Sequence, residues 1–273
     1  MSRRPSWWLH ALAVIWPVTW LSARATRLPV VGRLIAAAAL PFFSKKNLNV
    51  SYIPINREVQ GAGSSFLPRQ IVEEILRRAS HRVIINRCTC RDDRKCRQHP
   101  VTCGCTLVGD GAAEIDPRIA RHVSAEEAIQ HLDRTLADGL IPMVGRVKLD
   151  NLIWGVRDRG RLLTICHCCR CCCTILNSGK YLPDQAAASI KRLAGFTMRV
   201  DAARCAACGT CAAGCFMGAI TVDGHARIDG EKCKGCGQCA TACPHGAITP
   251  HVASVEAAIA EIHGRINANV NYT

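Results

Sequence analysis

Cys205-Ala206-Ala207-Cys208-Gly209-Thr210-Cys211-Ala212-Ala213-Gly214-Cys215 returns 28 positions later as Cys233-Lys234-Gly235-Cys236-Gly237-Gln238-Cys239-Ala240-Thr241-Ala242-Cys243, with Pro244 next. The same offset relates Gly218-Ala219-Ile220-Thr221 to Gly246-Ala247-Ile248-Thr249, so a whole structural unit is duplicated. Three thiolates three residues apart wrap a loop around one iron–sulfur cube. The fourth, four residues on, opens a short helix that reaches the other cube. The spacing therefore predicts two [4Fe–4S] clusters. One takes Cys205, Cys208, Cys211 and Cys243, the other Cys233, Cys236, Cys239 and Cys215. Gly209, Gly235 and Gly237 let the loops bend their N–H groups toward sulfur. Structural zinc fits poorly, because it takes four ligands as two separated pairs and leaves the third cysteine of each triplet unused.

Outward from this repeat, the chain of 273 residues carries 19 cysteines, none before Cys88 or after Cys243. The number is odd and the chain long, whereas disulfide scaffolds are short and evenly paired. Reduced, metal-bound thiolates are expected. The net charge of +14 is uneven: residues 1–57 hold no acidic side chain, against Arg3, Arg4, Arg24, Arg27, Arg33, Lys45, Lys46 and Arg57. These basic residues are mixed with apolar stretches, not with stacking aromatics, so an anionic membrane surface is expected there and nucleic acid is not.

Within that segment, Ser6–Ala23 is apolar but contains His10 and Pro17. A second stretch, Leu28–Phe43, is broken by Gly32, Arg33 and Pro41. Trp7, Trp8, Trp16 and Trp20 favour a membrane–water interface. The leading reading is an interfacial helix; a single span and a segment packed on the protein itself compete with it. Arg3-Arg4, the run Ala11–Leu21 and Ala23-Arg24-Ala25 also mimic a twin-arginine leader, although Pro5-Ser6 follows the arginine pair where an apolar residue is usual.

Eleven further cysteines lie in the middle of the chain: Cys88, Cys90, Cys96, Cys103 and Cys105, then Cys166, Cys168, Cys169, Cys171, Cys172 and Cys173. Each group follows an apolar run that reads as a buried strand, Val83–Ile85 and Leu162–Ile165, and loops at neighbouring strand ends are where ligands gather. Ser124 with Glu126 and Glu127 opens a helix that buries Ala128, Ile129, Leu132 and Leu136 and ends at Gly139; Ile71–Ala79 is a second amphipathic helix. Six cysteines in eight residues cannot all face one cube, so two sites that share thiolates from both groups are expected. The candidate ligands are Cys88, Cys90, Cys96, Cys105, Cys166, Cys168, Cys169 and Cys171, with Cys172 and Cys173 after them. One or two further iron–sulfur clusters, zinc, and a few inert thiols remain open here. His167 reads as a hydrogen-bonding or solvent-facing imidazole rather than a ligand, and Arg91 and Arg170 as guanidinium groups that offset thiolate charge.

The C-terminal repeat resembles bacterial-type two-cluster ferredoxins over its whole length, with Phe216 standing where that pattern has proline. A wider resemblance, to 4Fe–4S ferredoxin-type proteins of anaerobic bacteria and archaea, rests on several marks. These are Arg27–Gly32, Ser51–Pro54, Asn86-x-Cys88-x-Cys90-Arg91, Cys96, Cys105, Glu126-Glu127-Ala128, Gly139-Leu140, Lys148-Leu149-Asp150 and Ile165-Cys166-x-Cys168-Cys169-x-Cys171-Cys172-Cys173. His167, where relatives tend to have asparagine, and the extra Cys103 depart from it. The resemblance implies iron–sulfur binding and anaerobic redox work, and brings no substrate.

The expected fold is α+β or α/β, a Cys-rich mixed α/β domain followed by a two-cluster ferredoxin-like domain. Its segments are a basic apolar arm (1–60), the Cys-rich domain (61–180), a linker or helix (181–198), the ferredoxin domain (199–250) and an amphipathic helix (251–273). The expected function is electron transfer between the ferredoxin clusters and the Cys-rich domain, with a redox partner protein, a reductase or oxidase. The rival is a reductase whose atypical middle cluster acts on a substrate. The expected location is cytoplasmic, against the inner face of the membrane.

Overall fold

Apolar residues in the middle of the chain alternate with a period of two and build one mixed sheet, on which everything else is laid. The computed structural model describes residues 4–26, 28–39, 47–53, 67–182 and 184–273. In chain order, α1 (Trp8–Ala25) and α2 (Val31–Ala39) precede β1 (Leu48–Tyr52), α3 (Leu67–Arg78) and β2 (Arg82–Ile85). Next come α4 (Thr89–Asp93), β3 (Thr106–Val108), β4 (Ala120–His122), α5 (Ala125–Ala137), β5 (Ile141–Val147), α6 (Lys148–Trp154) and β6 (Leu163–Cys168). After α7 (Thr174–Ser178), α8 (Asp184–Ala187) and β7 (Ile190–Lys191), the C-terminal unit runs through β8 (Phe196–Val200), α9 (Thr210–Gly214), β9 (Ile220–Asp223), β10 (His225–Ile228), α10 (Gln238–Ala242) and β11 (Ile248–Val252). Helix α11 (Val255–Asn267) closes the chain. Arg3, Arg27, Lys45, Lys46 and Arg57, and the end of the second apolar stretch through Phe43, lie outside the described residues.

The seven strands lie in the order β4-β2-β3-β6-β5-β1-β7, antiparallel except for β1 with β7. The fold is therefore mixed α/β, with the sheet reaching beyond residues 61–180. It takes β1 from the N-terminal arm and β7 from the 181–198 segment. Both carry side chains buried on the sheet, Val50 and Tyr52 in one and Ile190 in the other. Ser124 caps α5: its hydroxyl accepts the Glu127 N–H at 3.1 Å and the Glu127 carboxylate accepts the Ser124 N–H at 2.8 Å. That reciprocal box satisfies two otherwise unpaired donors at the helix start. Helices α3 and α5 cover one face of the sheet through Ile71, Ile75, Ala128 and Leu132.

Helix α1 covers part of the other face. Leu9 and Leu12 bury against Val83, Ile85 and Leu107, beside Trp154. The Trp8 indole N–H donates to the Ile153 carbonyl at 2.8 Å. The interfacial-helix expectation thus meets a helix whose inner side belongs to the core; its outer side, with Trp7, Val14, Ile15, Val18 and Leu21, is exposed. Among the described residues no helix is long and apolar enough to cross a membrane.

The C-terminal unit is tied at both ends. Strands β8 and β11, which enter and leave it, pair antiparallel from Phe196↔Val252 to Val200↔Ile248. Phe216 is buried and meets the Tyr52 ring edge-on, with centroids 5.3 Å apart. Gly179 lies so close that a Cβ there would sit 2.4 Å from the Phe216 ring. Proline at 216 would shape only a turn; phenylalanine docks the repeat onto the sheet. From α11, Arg265 donates to Asn49 Oδ1 and Ser51 Oγ of β1, each at 2.7 Å. Replacing Phe216 with alanine should therefore cost about 3 kcal/mol, in the usual range for a buried aromatic, and lower the anaerobic unfolding temperature. An unchanged melt would show that the ring does not hold the two parts together.

Candidate metal centres

In the repeat, the two loops and two short helices carry their cysteines into two crossed sets. Cys205, Cys208, Cys211 and Cys243 line one cavity. Cys233, Cys236, Cys239 and Cys215 form the other: burial pushes the Cys239 thiol up, and neighbouring Cys236, Cys233 and Cys215 push it further. Gly209 and Gly237, with φ of 75° and 77°, occupy the left-handed region at equivalent positions just before α9 and α10. The N–H of Ala219 donates to Cys215 Sγ and that of Ala247 to Cys243 Sγ, both at 3.3 Å. Ala226 N–H donates to Cys205 Sγ at the same distance. Amide donors aimed at sulfur favour the thiolate. They match what a [4Fe–4S] cluster needs from its ligands.

In the middle domain, Cys166 and Cys168 belong to the strand itself instead of a loop beyond it. Strands β2 and β6 are not neighbours; β3 lies between them. Both pair antiparallel with β3, so their C-terminal ends and the start of β3 share one end of the sheet. Thr106 pairs with Ile165, which sets Cys105 opposite Cys166, with their sulfurs 3.4 Å apart. Alternation then divides the run. Cys166 and Cys168 face the α1 side, while His167 points the other way. Its ring is buried between Thr106 Oγ1 at 3.1 Å and Thr135 Oγ1 at 3.0 Å. Burial, with His131 and Arg91 nearby, pushes its pKa well below the usual imidazole value. His167 is a neutral, hydrogen-bonded core residue.

Two sulfur groups result, each drawn from both halves of the sequence. Cys88, Cys90, Cys105, Cys166, Cys168 and Cys173 line a cavity of about 350 Å³, and Cys169 reaches its wall. The second group is Cys96, Cys169, Cys171 and Cys172, whose sulfurs all lie within 4.8 Å of one another. Cys103 belongs to neither and accepts a hydrogen bond from Arg91 through its backbone carbonyl.

Between the groups sits Arg91, 1% exposed. It donates to the His167 carbonyl at 2.9 Å, and its Nε has no partner among the described residues. Among the described residues no carboxylate pairs with it. Burial alone would lower its pKa, but the sulfurs of Cys88, Cys169 and Cys105 outweigh that and raise it. A buried guanidinium without a counter-ion is costly by several kcal/mol; the thiols of Cys88, Cys105 and Cys169 are themselves pushed up when no metal is bound, so they would supply the counter-charge as metal-bound thiolates.

Sequence reading missed two parts of this cavity. One is Asp150, whose carboxylate accepts the Thr164 hydroxyl at 2.6 Å and whose pKa burial raises to about 6; the three-residue Lys148–Asp150 mark was the only signal. The other is α1, which adds Trp16, Thr19, Ser22 and Ala23 to the wall. The Arg91→Ala variant should lose metal from the middle groups and retain the C-terminal clusters, read by iron and zinc analysis against the unaltered protein. Full metal retention would mean that the guanidinium balances nothing.

Residues 226–249, which hold the second cysteine run, match the family of 4Fe-4S binding domains. No curated protein matches the chain. The family match takes in Cys233, Cys236, Cys239 and Cys243 of the crossed sets: this chain is an iron–sulfur protein, with at least one [4Fe–4S] site in its C-terminal unit.

Proposed function

We propose that the chain is an electron-transfer protein in which the two C-terminal cysteine sets and the cavity group form one relay. Tyr52 carries this reading. Its ring is fully buried, and among the described residues its hydroxyl has no hydrogen-bond partner. Burial raises its pKa, and so do Cys173, Cys168 and Cys166 of the cavity group and Cys236 of the repeat. One buried side chain therefore lies close to both the inner C-terminal set and the cavity group.

Cys205, Cys208, Cys211 and Cys243 would hold one [4Fe–4S] cluster and Cys233, Cys236, Cys239 and Cys215 a second. Four of the six cavity cysteines would hold a third. Each such cluster supplies one-electron transfer with little change in geometry. Burial differs along this line. Cys208 is exposed, whereas burial pushes the Cys236 thiol up to about 12. The Cys208 edge is then the face for a redox partner protein, and the Cys236 side faces inward. Five basic and four acidic residues over 199–250 favour a partner without a strong charge bias.

The cavity supports a second reading, a reductase that acts on a small substrate. It offers two thiols beyond a cluster's four, and Asp150 and Thr164 beside them. A carboxyl group whose pKa burial raises to about 6 is placed to hand over a proton.

The outer side of α1, continued by Leu28, Val30 and Leu34, fits an anionic membrane surface. The patch is apolar, Arg24 and Arg33 are exposed on it, and no acidic residue occurs before Glu58. The full chain should bind vesicles containing phosphatidylglycerol, less so as salt is raised, and ignore neutral phosphatidylcholine vesicles; equal recovery with both would contradict this.

For the relay, Cys236→Ser should remove one cluster signal from the reduced protein's paramagnetic resonance spectrum, leave the cavity-group signal, and slow its reduction through the Cys208 edge. Loss of every cluster, or an unaltered reduction rate, would overturn it.

A further inference from the structure

The second sulfur group differs from the others in scale. Cys96, Cys169, Cys171 and Cys172 hold their four sulfurs within 4.8 Å of one another, and Cys96 and Cys171 are 3.5 Å apart. A metal–sulfur bond of about 2.3 Å in a tetrahedron puts neighbouring sulfurs about 3.8 Å apart. The four ligand sulfurs of a cube each extend outward from a separate iron and stand about 6 Å apart. Among the described residues this is the one set of metal-binding side chains that closes so tightly; neither the crossed sets of the repeat nor the cavity group does so. Four sulfurs at this spacing enclose one ion and leave no room for a cube.

Local structure explains the grouping. After β6 the chain turns, with the Cys173 N–H donating to the Cys169 carbonyl at 3.1 Å. Cys173 goes to the cavity, while Cys169, Cys171 and Cys172 come together beside Leu140. Cys96 arrives from the loop after α4. The N–H groups of Gln98 and His99 approach its sulfur, which also neighbours those of Cys172 and Cys171. The Cys172 N–H likewise donates to Cys169. Two backbone donors on one sulfur are the local chemistry of a thiolate ligand. Arg91 beside Cys169 offsets part of the negative charge that four thiolates bring to a divalent ion. A disulfide does not account for the set, since its sulfurs would lie about 2.05 Å apart and all these cysteines are free.

We propose that Cys96, Cys169, Cys171 and Cys172 hold a single tetrahedral divalent metal ion, zinc or ferrous iron, separate from the iron–sulfur clusters of the relay. The site fastens the first cysteine group to the second, about 75 residues away in sequence, and so fixes the wall of the cavity that Arg91 and Cys169 share. It does not depend on the relay reading, because the bound ion needs no inorganic sulfide.

The full-length protein, purified anaerobically, tests this directly. Cubes contain iron and acid-labile sulfide in equal number, so iron plus zinc should exceed sulfide by one per chain. The excess appearing as zinc or as iron identifies the ion. Cys172→Ser and Cys96→Ser should remove that excess with sulfide unchanged. Cys103→Ser, beside the group but outside it, should keep it. Equal metal and sulfide in the unaltered protein would overturn the proposal without any variant having to fold. So would a Cys172→Ser protein that loses iron and sulfide together in fours, which would mean a cube at this position.

Discussion

A guanidinium sealed from water, with two backbone carbonyls but no carboxylate among the described residues to meet it, constrains the centre of this protein. Arg91 is bordered by Cys88 and Cys105 on the cavity side and by Cys169 on the other. As neutral thiols these sulfurs would leave a buried charge uncompensated. As thiolates without metal they would repel one another across a few ångströms. Metal would resolve both difficulties, since ligation would fix the negative charge where the guanidinium needs it. The sheet, the two cysteine groups and the cavity are arranged around that balance.

The arrangement follows from β pairing. Antiparallel register sets Cys105 opposite Cys166 and Met143 opposite Cys166 from the other side. The pleat sends Cys166 and Cys168 one way and His167 the other. Where β6 ends, period-two alternation gives way to a turn, and the next cysteines separate into another group. A run of six cysteines in eight residues is thus read by two different backbone geometries. Its sorting depends on where the strand stops.

This is also why the site was only partly legible from sequence. The duplication at 205–243 was readable because every ligand lies within a short local spacing, and the crossed sets follow from the loop-and-helix unit alone. Strands β2 and β6, helices α3 and α5 and the Ser124 cap were readable from apolar periodicity and turn chemistry. The end of β6 was not, because cysteine fits a strand as well as a loop, and the apolar signal stopped at Ile165. Nor were the long-range meetings. Tyr52 against Phe216, Asp150 in the cavity and α1 along its wall join segments more than a hundred residues apart, or polar groups with no local motif. An apolar segment with four tryptophans also reads the same whether its inner side meets lipid or a sheet; Leu9 and Leu12 against Val83 and Leu107 decide it.

The account rests on the cavity cysteines holding a cluster in addition to the C-terminal pair. Acid-labile sulfide per chain in anaerobically isolated, full-length protein measures this most directly, because sulfide counts cubes and ignores single ions. Three cubes predict about twelve sulfides per chain. A value of about eight, with the C-terminal pair intact, would contradict it.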